Sequence, residues 1–251
     1  MSDNKGDIFT LVRHLEPGLT FPAARRVHDF VGIAPAFPEM FWARRTRASS
    51  APITVRWERC QPLSRHSPTW RYLTEQRGLP ESVLLAARAV DAVREGPHGS
   101  AWFAHRDNTG VLTGIEMRGS NYRNFSAGGG KALFRLPGGP SPLPRIAVCE
   151  AAIDALSLAA LEQCRPDTLY AATAGGIGPA TVAALQRLLP GLAADSTGVL
   201  IAATDADIAG RRYAARLEGL GAEAQVRFNA ILPPDGLNDW NDFLCVRTRV
   251  P

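Results

Sequence analysis

Apolar and polar positions change their period along the chain, and the changes mark its parts. Ile8, Leu11, Val12 and Leu15 recur at helical spacing, the pattern breaks at Pro17-Gly18, and a short helix is predicted over 21–31. From 34 to 67 periodicity is lost among prolines, serines and arginines, as in "ARRTRASSAP", with an extended piece or short strand expected at "ITVRW". "SPTWRYLTEQRGLPESVLLAARAV" reads as a helical hairpin with a Ser-Pro start, a stop at Gly78 and a second start at Pro80. "SAWFAHRDNTGVLTGIEMRG" is a strand pair around the turn "DNTG", and "NYRNFSAGGGKALFRLP" adds a glycine-rich loop and a further strand. After "GGPSPLP" the texture becomes strand-helix alternation. "RIAVCE", "TLYAAT", "TGVLIAAT" and "EAQVRFN" are the strands, and "AAIDALSLAALEQC", "PATVAALQRLL" and "GRRYAARLEGLG" are the helices between them. This order predicts an α/β fold whose parallel sheet is covered by helices on both faces, preceded by a smaller antiparallel α+β part.

In open parallel sheets, ligands gather where strands end and helix N-termini point. Glu150 closes the first predicted strand of that region and Asp154 falls on the first turn of the next helix. Asp205 and Asp207 close the third strand, in "TDADIAGRR", and Asp239 and Asp242, in "NDWND", follow the fourth. Carboxylates two residues apart on extended backbone point to one side, and a hard cation needs several oxygens from few groups. Each acid alone has an ordinary reading: an Asp after a strand caps a helix, Asp154 pairs with a basic side chain, "NDWND" is a polar turn. Repeated at successive strand ends, the acids would repel one another unless a metal, a cationic side chain or a raised pKa intervened. The pattern predicts a site for Mg2+ or Mn2+.

Composition adds bounds. With 251 residues and 45% hydrophobic content the chain can fill a core, and no apolar run is long enough to cross a bilayer. The start "MSDNKGDIF" lacks the layout of a secretory signal, so a soluble, cytoplasmic protein with no membrane partner is expected. Cys60, Cys149, Cys164 and Cys245 form no C-x-x-C pair, which predicts buried thiols rather than a zinc knuckle or disulfide framework. The net charge of +4 favours anionic partners only weakly. The histidines show no metal-like spacing, and His105 is expected at the surface. "SAGGGK" does not complete a phosphate-binding P-loop and does not join a parallel strand to a helix.

The acidic pattern resembles the Toprim domain of bacterial primases, topoisomerases and some nucleases, in which E-G-x-x-D ends one strand and D-x-D a later one. Here they read Glu150-Ala151-Ala152-Ile153-Asp154 and Asp205-Ala206-Asp207, with Ala151 where many members have glycine. Upstream, "YLTEQRGLPESVLLAARAV" is similar to the Y-L-x-x-R-G-L segment of DnaG-like primases. "WFAHRDNTGVLTGIEMRG" resembles their strand pair, and "YRNFSAGGGKALFRLPGG" their basic segment beside the metals. The nearest likeness is to Toprim proteins of plasmids and mobile elements. "GDIFTLVRHLEPGLTFPAARR" resembles the piece after the last ligand of a primase zinc ribbon, but no Cys/His set precedes it, so no zinc is expected. The resemblance divides the chain into a zinc-ribbon-like remnant over 1–33, a basic linker over 34–66, an α+β basic subdomain over 67–140 and a Toprim domain over 141–251.

What the resemblance implies is a primase-like nucleotidyltransferase that joins NTPs on single-stranded DNA in plasmid or mobile-element replication or transfer, with a helicase or relaxase supplied separately. Asp205 and Asp207 would hold metal, Glu150 would be general base or further ligand, and Asp154, Asp239 and Asp242 would complete the acidic floor. Arg118, Arg123, Lys131 and Arg211 would contact triphosphate or template backbone. A stacking role for Tyr122 and Phe125 competes with simple packing. Two other functions share these residues: a non-catalytic Toprim accessory protein that binds nucleic acid, and a Toprim nuclease.

Overall fold

The structure, a computed structural model, describes residues 51–249. The helices expected near 8–15 and 21–31, the remnant over 1–33 and the linker up to residue 50 lie outside the described residues. The first element is α1 (Ile53–Glu58), followed by the short strand β1 (Gln61–Pro62). "ITVRW" is therefore a helix and not the expected strand. Helical spacing puts Ile53 and Trp57 on one face, where they pack with Trp102, Ile115 and Met117, and that burial overrides the local preference of β-branched residues for extended backbone.

The helical hairpin forms as expected. Ser67 caps α2 (Pro68–Arg71) by accepting from the Trp70 amide at 3.0 Å, a wide π-helical turn continues over Tyr72–Gln76, and Gly78 takes a left-handed φ of 63° before α3 (Glu81–Ala89). Then come β2 (Val93–Glu95), β3 (Ala101–Arg106), β4 (Leu112–Gly119), β5 (Tyr122–Phe125) and β6 (Leu133–Pro137), all paired antiparallel. In the turn between β3 and β4, Asp107 accepts from the Thr109 and Val111 amides while Gly110 takes φ 84°.

The remaining chain alternates β7 (Arg145–Cys149), α4 (Ala152–Leu161), β8 (Thr168–Ala172), α5 (Pro179–Ala193), β9 (Val199–Ala202), α6 (Ile208–Glu223), β10 (Arg227–Ala230) and α7 (Trp240–Arg249). β8, β7, β9 and β10 lie side by side in that order, all parallel. Because β7 has β8 on one side and β9 on the other, the chain switches direction there, and a crevice opens at the carboxyl ends of β7 and β9. β6 pairs antiparallel with β8, so the two layers share one continuous sheet among the described residues.

Alternation along the strands splits the core. Ala147, Cys149, Tyr170, Ala172 and Ile201 face α4 and α3, whereas Ile146, Val148, Leu169, Ala171 and Leu200 face α5 and α6. α4 is packed on every side: all residues from Ala152 to Ala159 are buried, which explains its run of small side chains. Among the described residues no helix is long and apolar enough to cross a membrane.

α1 is held by more than its apolar face. Trp57 is 3% exposed, its Nε1 donates to Asp91 at 2.9 Å, and Arg94 lies over its ring. Trp57→Ala should lower unfolding free energy by about 3–5 kcal/mol in a urea titration. A loss below about 1 kcal/mol would show that α1 is dispensable to the fold.

Candidate functional site

The acids meet at the switch point. Glu150 follows β7 directly, and the chain leaving β9 runs on beside it, tied by the Ala203 amide to the Val148 carbonyl at 2.9 Å. That run reaches Asp205, whose amide donates to Glu150 Oε1 at 3.4 Å. From the far end of the chain, Trp240 Nε1 donates to the Ala203 carbonyl at 3.0 Å and the Asn238 carbonyl accepts from the Ala206 amide at 2.8 Å. "NDWND" is therefore a clamp on the Asp205 loop, and it brings Asp239 into the same field. Asp154, 6% exposed on the first turn of α4, accepts from the Asn241 amide at 3.3 Å.

The electrostatics follow from crowding. Burial, then the negative charges of Glu150, Asp239 and Asp207, push the Asp205 carboxyl up to about 7, against a smaller opposing pull from Arg118. Asp154 goes well above the carboxylate range, first from burial and then from Asp239 and Asp205. Glu150 and Asp239 are also raised, each chiefly by burial. Asp205 Oδ1 is buried and accepts no hydrogen bond among the described residues. An acid-rich, donor-poor pocket with an orphaned carboxylate oxygen fits a hard divalent cation. Among the described residues no three Asp, Glu, His or Cys side chains stand close enough to form a complete ligand set, so water or phosphate oxygens would have to complete the shell.

The other expected site residues divide. Asp207 is exposed and caps α6, its Oδ1 accepting from the Gly210 amide at 2.7 Å. The ordinary reading of that residue is thus realised, while its charge still reaches Asp205. Asp242 is exposed on the first turn of α7, and its amide donates to Asp239 at 2.7 Å. Arg118 reaches over from β4 and its charge acts on Asp205. Arg123 is exposed opposite it on β5. Lys131 donates to the Ala174 carbonyl at 2.8 Å and lies 5.4 Å from the Phe125 ring centroid. Arg211 is exposed on α6.

Two residues were misread or missed. His105, expected at the surface, is fully buried against Phe125 at 5.1 Å between ring centroids, because β3 is covered on both faces. Glu116, on β4, is 1% exposed and bonds the start of α4. The available signal was the nearly unbroken apolar run "AWFAH" on the neighbouring strand, the mark of a strand buried on both faces.

Residues 71–140 match a family described as protein of unknown function (DUF3991), and residues 147–244 match the Toprim-like family. Comparison with curated proteins finds no match. Among solved structures, the Aquifex aeolicus primase (zinc binding and RNA polymerase domains) is similar with a TM-score of 0.51 at 15% identity, covering 96% of this chain and 67% of that one. The primase fragment of the bacteriophage T7 primase-helicase gives a TM-score of 0.42 at 18% identity over 70% of this chain and 72% of that one. The RNA polymerase domain of Mycobacterium tuberculosis primase DnaG, in complex with double-stranded DNA, gives 0.47 at 17% identity over 79% and 74%. With the carboxylates at the switch point of a parallel sheet and the family match over that same segment, residues 147–244 are a Toprim-like domain, and the chain shares its fold with the Aquifex aeolicus primase.

Proposed function

We propose that the protein is a metal-dependent, primase-like nucleotidyltransferase that joins NTPs on single-stranded DNA, acting in the cytoplasm in plasmid or mobile-element replication or transfer. The observation that carries this reading is the buried, unpartnered Oδ1 of Asp205 beside Glu150, with the charge of Arg118 on the antiparallel strand β4 acting on Asp205.

Asp205 would hold the cation with Glu150, and Asp154 and Asp239 would add negative charge beneath. A divalent ion bound there supplies charge to neutralise a triphosphate and to acidify a primer 3′-hydroxyl. Glu150, raised by burial, is suited to accept the proton of that hydroxyl or to be a further ligand. Asp207 adds charge while capping α6, and Asp242 contributes only through Asp239. Arg118 and Arg123 would take phosphates of the incoming nucleotide and template. Lys131 keeps two of its three donors after bonding Ala174, and Arg211 offers an exposed charge to the DNA backbone. A helicase or relaxase would deliver the template.

The incomplete ligand set favours one alternative, a Toprim protein that binds nucleic acid without chemistry, and a nuclease would use the same acids. Incubation with labelled NTPs, single-stranded DNA and magnesium or manganese separates them. The expected result is template-dependent short RNA, reduced at least about 100-fold in Glu150→Gln and Asp205→Asn. Cut DNA would establish the nuclease, and salt-sensitive binding with no product the accessory protein.

A second prediction concerns pH. The Asp205 carboxyl sits at about 7 in the folded protein against an ordinary 3.8, so between those values the folded state holds a proton that the unfolded state has released. The metal-free protein should therefore lose stability as pH rises from about 4 to about 7, and Glu150, Asp154 and Asp239, all shifted upward, act in the same direction. Thermal melts should show Asp205→Asn flattening this slope, and magnesium restoring more stability at pH 8 than at pH 5. A melt equally insensitive to magnesium at both values would sink the metal assignment.

A further inference from the structure

Glu116 has no part in the reading above, yet it is the most densely bonded acid near the site. Its Oε2 accepts from the Ala152 amide, at the start of α4, at 3.1 Å and stands 3.4 Å from His105 Nε2. Its Oε1 accepts from Arg118 Nε at 2.7 Å. Burial pushes its carboxyl up, but the hydrogen bond from His105 and the charge of Arg118 outweigh burial and leave it below the usual range, so it stays ionised. A buried carboxylate is tolerated only when its oxygens are satisfied in this way. The bonds also join the antiparallel layer to the helix that begins beside Glu150.

The consequence lies in what Arg118 has left. Its side chain is 22% exposed, and among the described residues its terminal nitrogens have no hydrogen-bond partner. Asp154 and Asp205 both lie within its electrostatic reach. An unrestrained guanidinium would be drawn towards these carboxylates. Held at Nε, the planar fork is fixed in orientation and its end-on pair of terminal N–H groups is left for a second acceptor.

We infer that Glu116 is a positioning residue: it grips Arg118 by Nε so that the terminal amino groups stay available to a phosphate of single-stranded DNA laid over the acidic strand ends. This rests on the function proposed above. Electrostatics alone predicts the reverse sign, since removing a negative charge beside a binding site strengthens anion binding.

The test is binding of a labelled oligothymidylate to the full chain in magnesium, followed by anisotropy across a salt series. Arg118→Ala should weaken binding about tenfold and lower the salt slope by about 1. Glu116→Gln should also weaken it, and the double variant should bind like Arg118→Ala alone, because the two act as one unit. Arg118→Lys, partly exposed and so expected to fold even if Glu116→Gln does not, keeps the charge but loses the fork and should bind nearly as weakly as Arg118→Ala. Equal or tighter binding by Glu116→Gln, effects that multiply in the double variant, or wild-type affinity in Arg118→Lys each overturn the positioning role alone. A wild-type protein with no salt-dependent affinity for DNA overturns the proposed function and this inference with it.

Discussion

Mutual repulsion among carboxylates at the ends of β7 and β9 is the constraint around which the rest of the molecule is arranged. Asp154, Asp205, Glu150 and Asp239 share a partly desolvated region, where like charges interact far more strongly than in water. Arg118 pulls on Asp205 and Arg77 on Asp239, and the hydrogen bond of Arg118 is to Glu116 rather than to the cluster. The cluster is therefore left under-neutralised, and Thr204 Oγ1 beside it is likewise buried without a hydrogen-bond partner among the described residues. A folded protein keeps such an arrangement when something positive is expected to arrive.

The scaffold supplies that rigidity from distant parts of the chain. α4 is wedged between sheet and helices, and Asn241 on α7 ties its Ser157 to the Arg77 carbonyl with bonds of 3.0 and 2.7 Å. Trp240 and the Asn238 carbonyl fix the Asp205 loop, while Glu116 fixes the start of α4 from the opposite layer. Both sides of the crevice are thus braced by residues far from it in sequence. The acids cannot relieve their repulsion by moving apart without breaking these braces.

Much of this was legible in the sequence for a simple physical reason. Parallel strands buried on both faces need unbroken apolar runs, so "RIAVC" and "VLIAA" stand out, and the acids that end them are placed by the strand boundary itself. The pairing of layers through β6 and β8 was not legible, because nothing local says which strand a short edge run will join. "ITVRW" misled because β-branched residues in a six-residue helix obey their packing partners and not their propensity. His105 reads as a surface residue and Glu116 carries no local signal, because the ring that covers the one lies 20 positions away and the amide that bonds the other 36.

The D-x-D spacing answers to helix geometry as much as to a metal. Asp207 caps α6 through the Gly210 amide, and Gly210 lies so close beneath the preceding loop that a Cβ there would stand 2.0 Å from the Asp205 carbonyl oxygen. Any side chain at 210 would push that loop outward. Asp207 and Gly210 together therefore lock the backbone of Asp205 against the helix start, and Glu150 and Trp240 lock it from the other sides. The Asp205 backbone is held from three directions, and its Oδ1 is buried without a hydrogen-bond partner among the described residues. The motif "DADIAG" thus sets a buried, unpartnered carboxylate oxygen on its first aspartate beside a helix cap on its second.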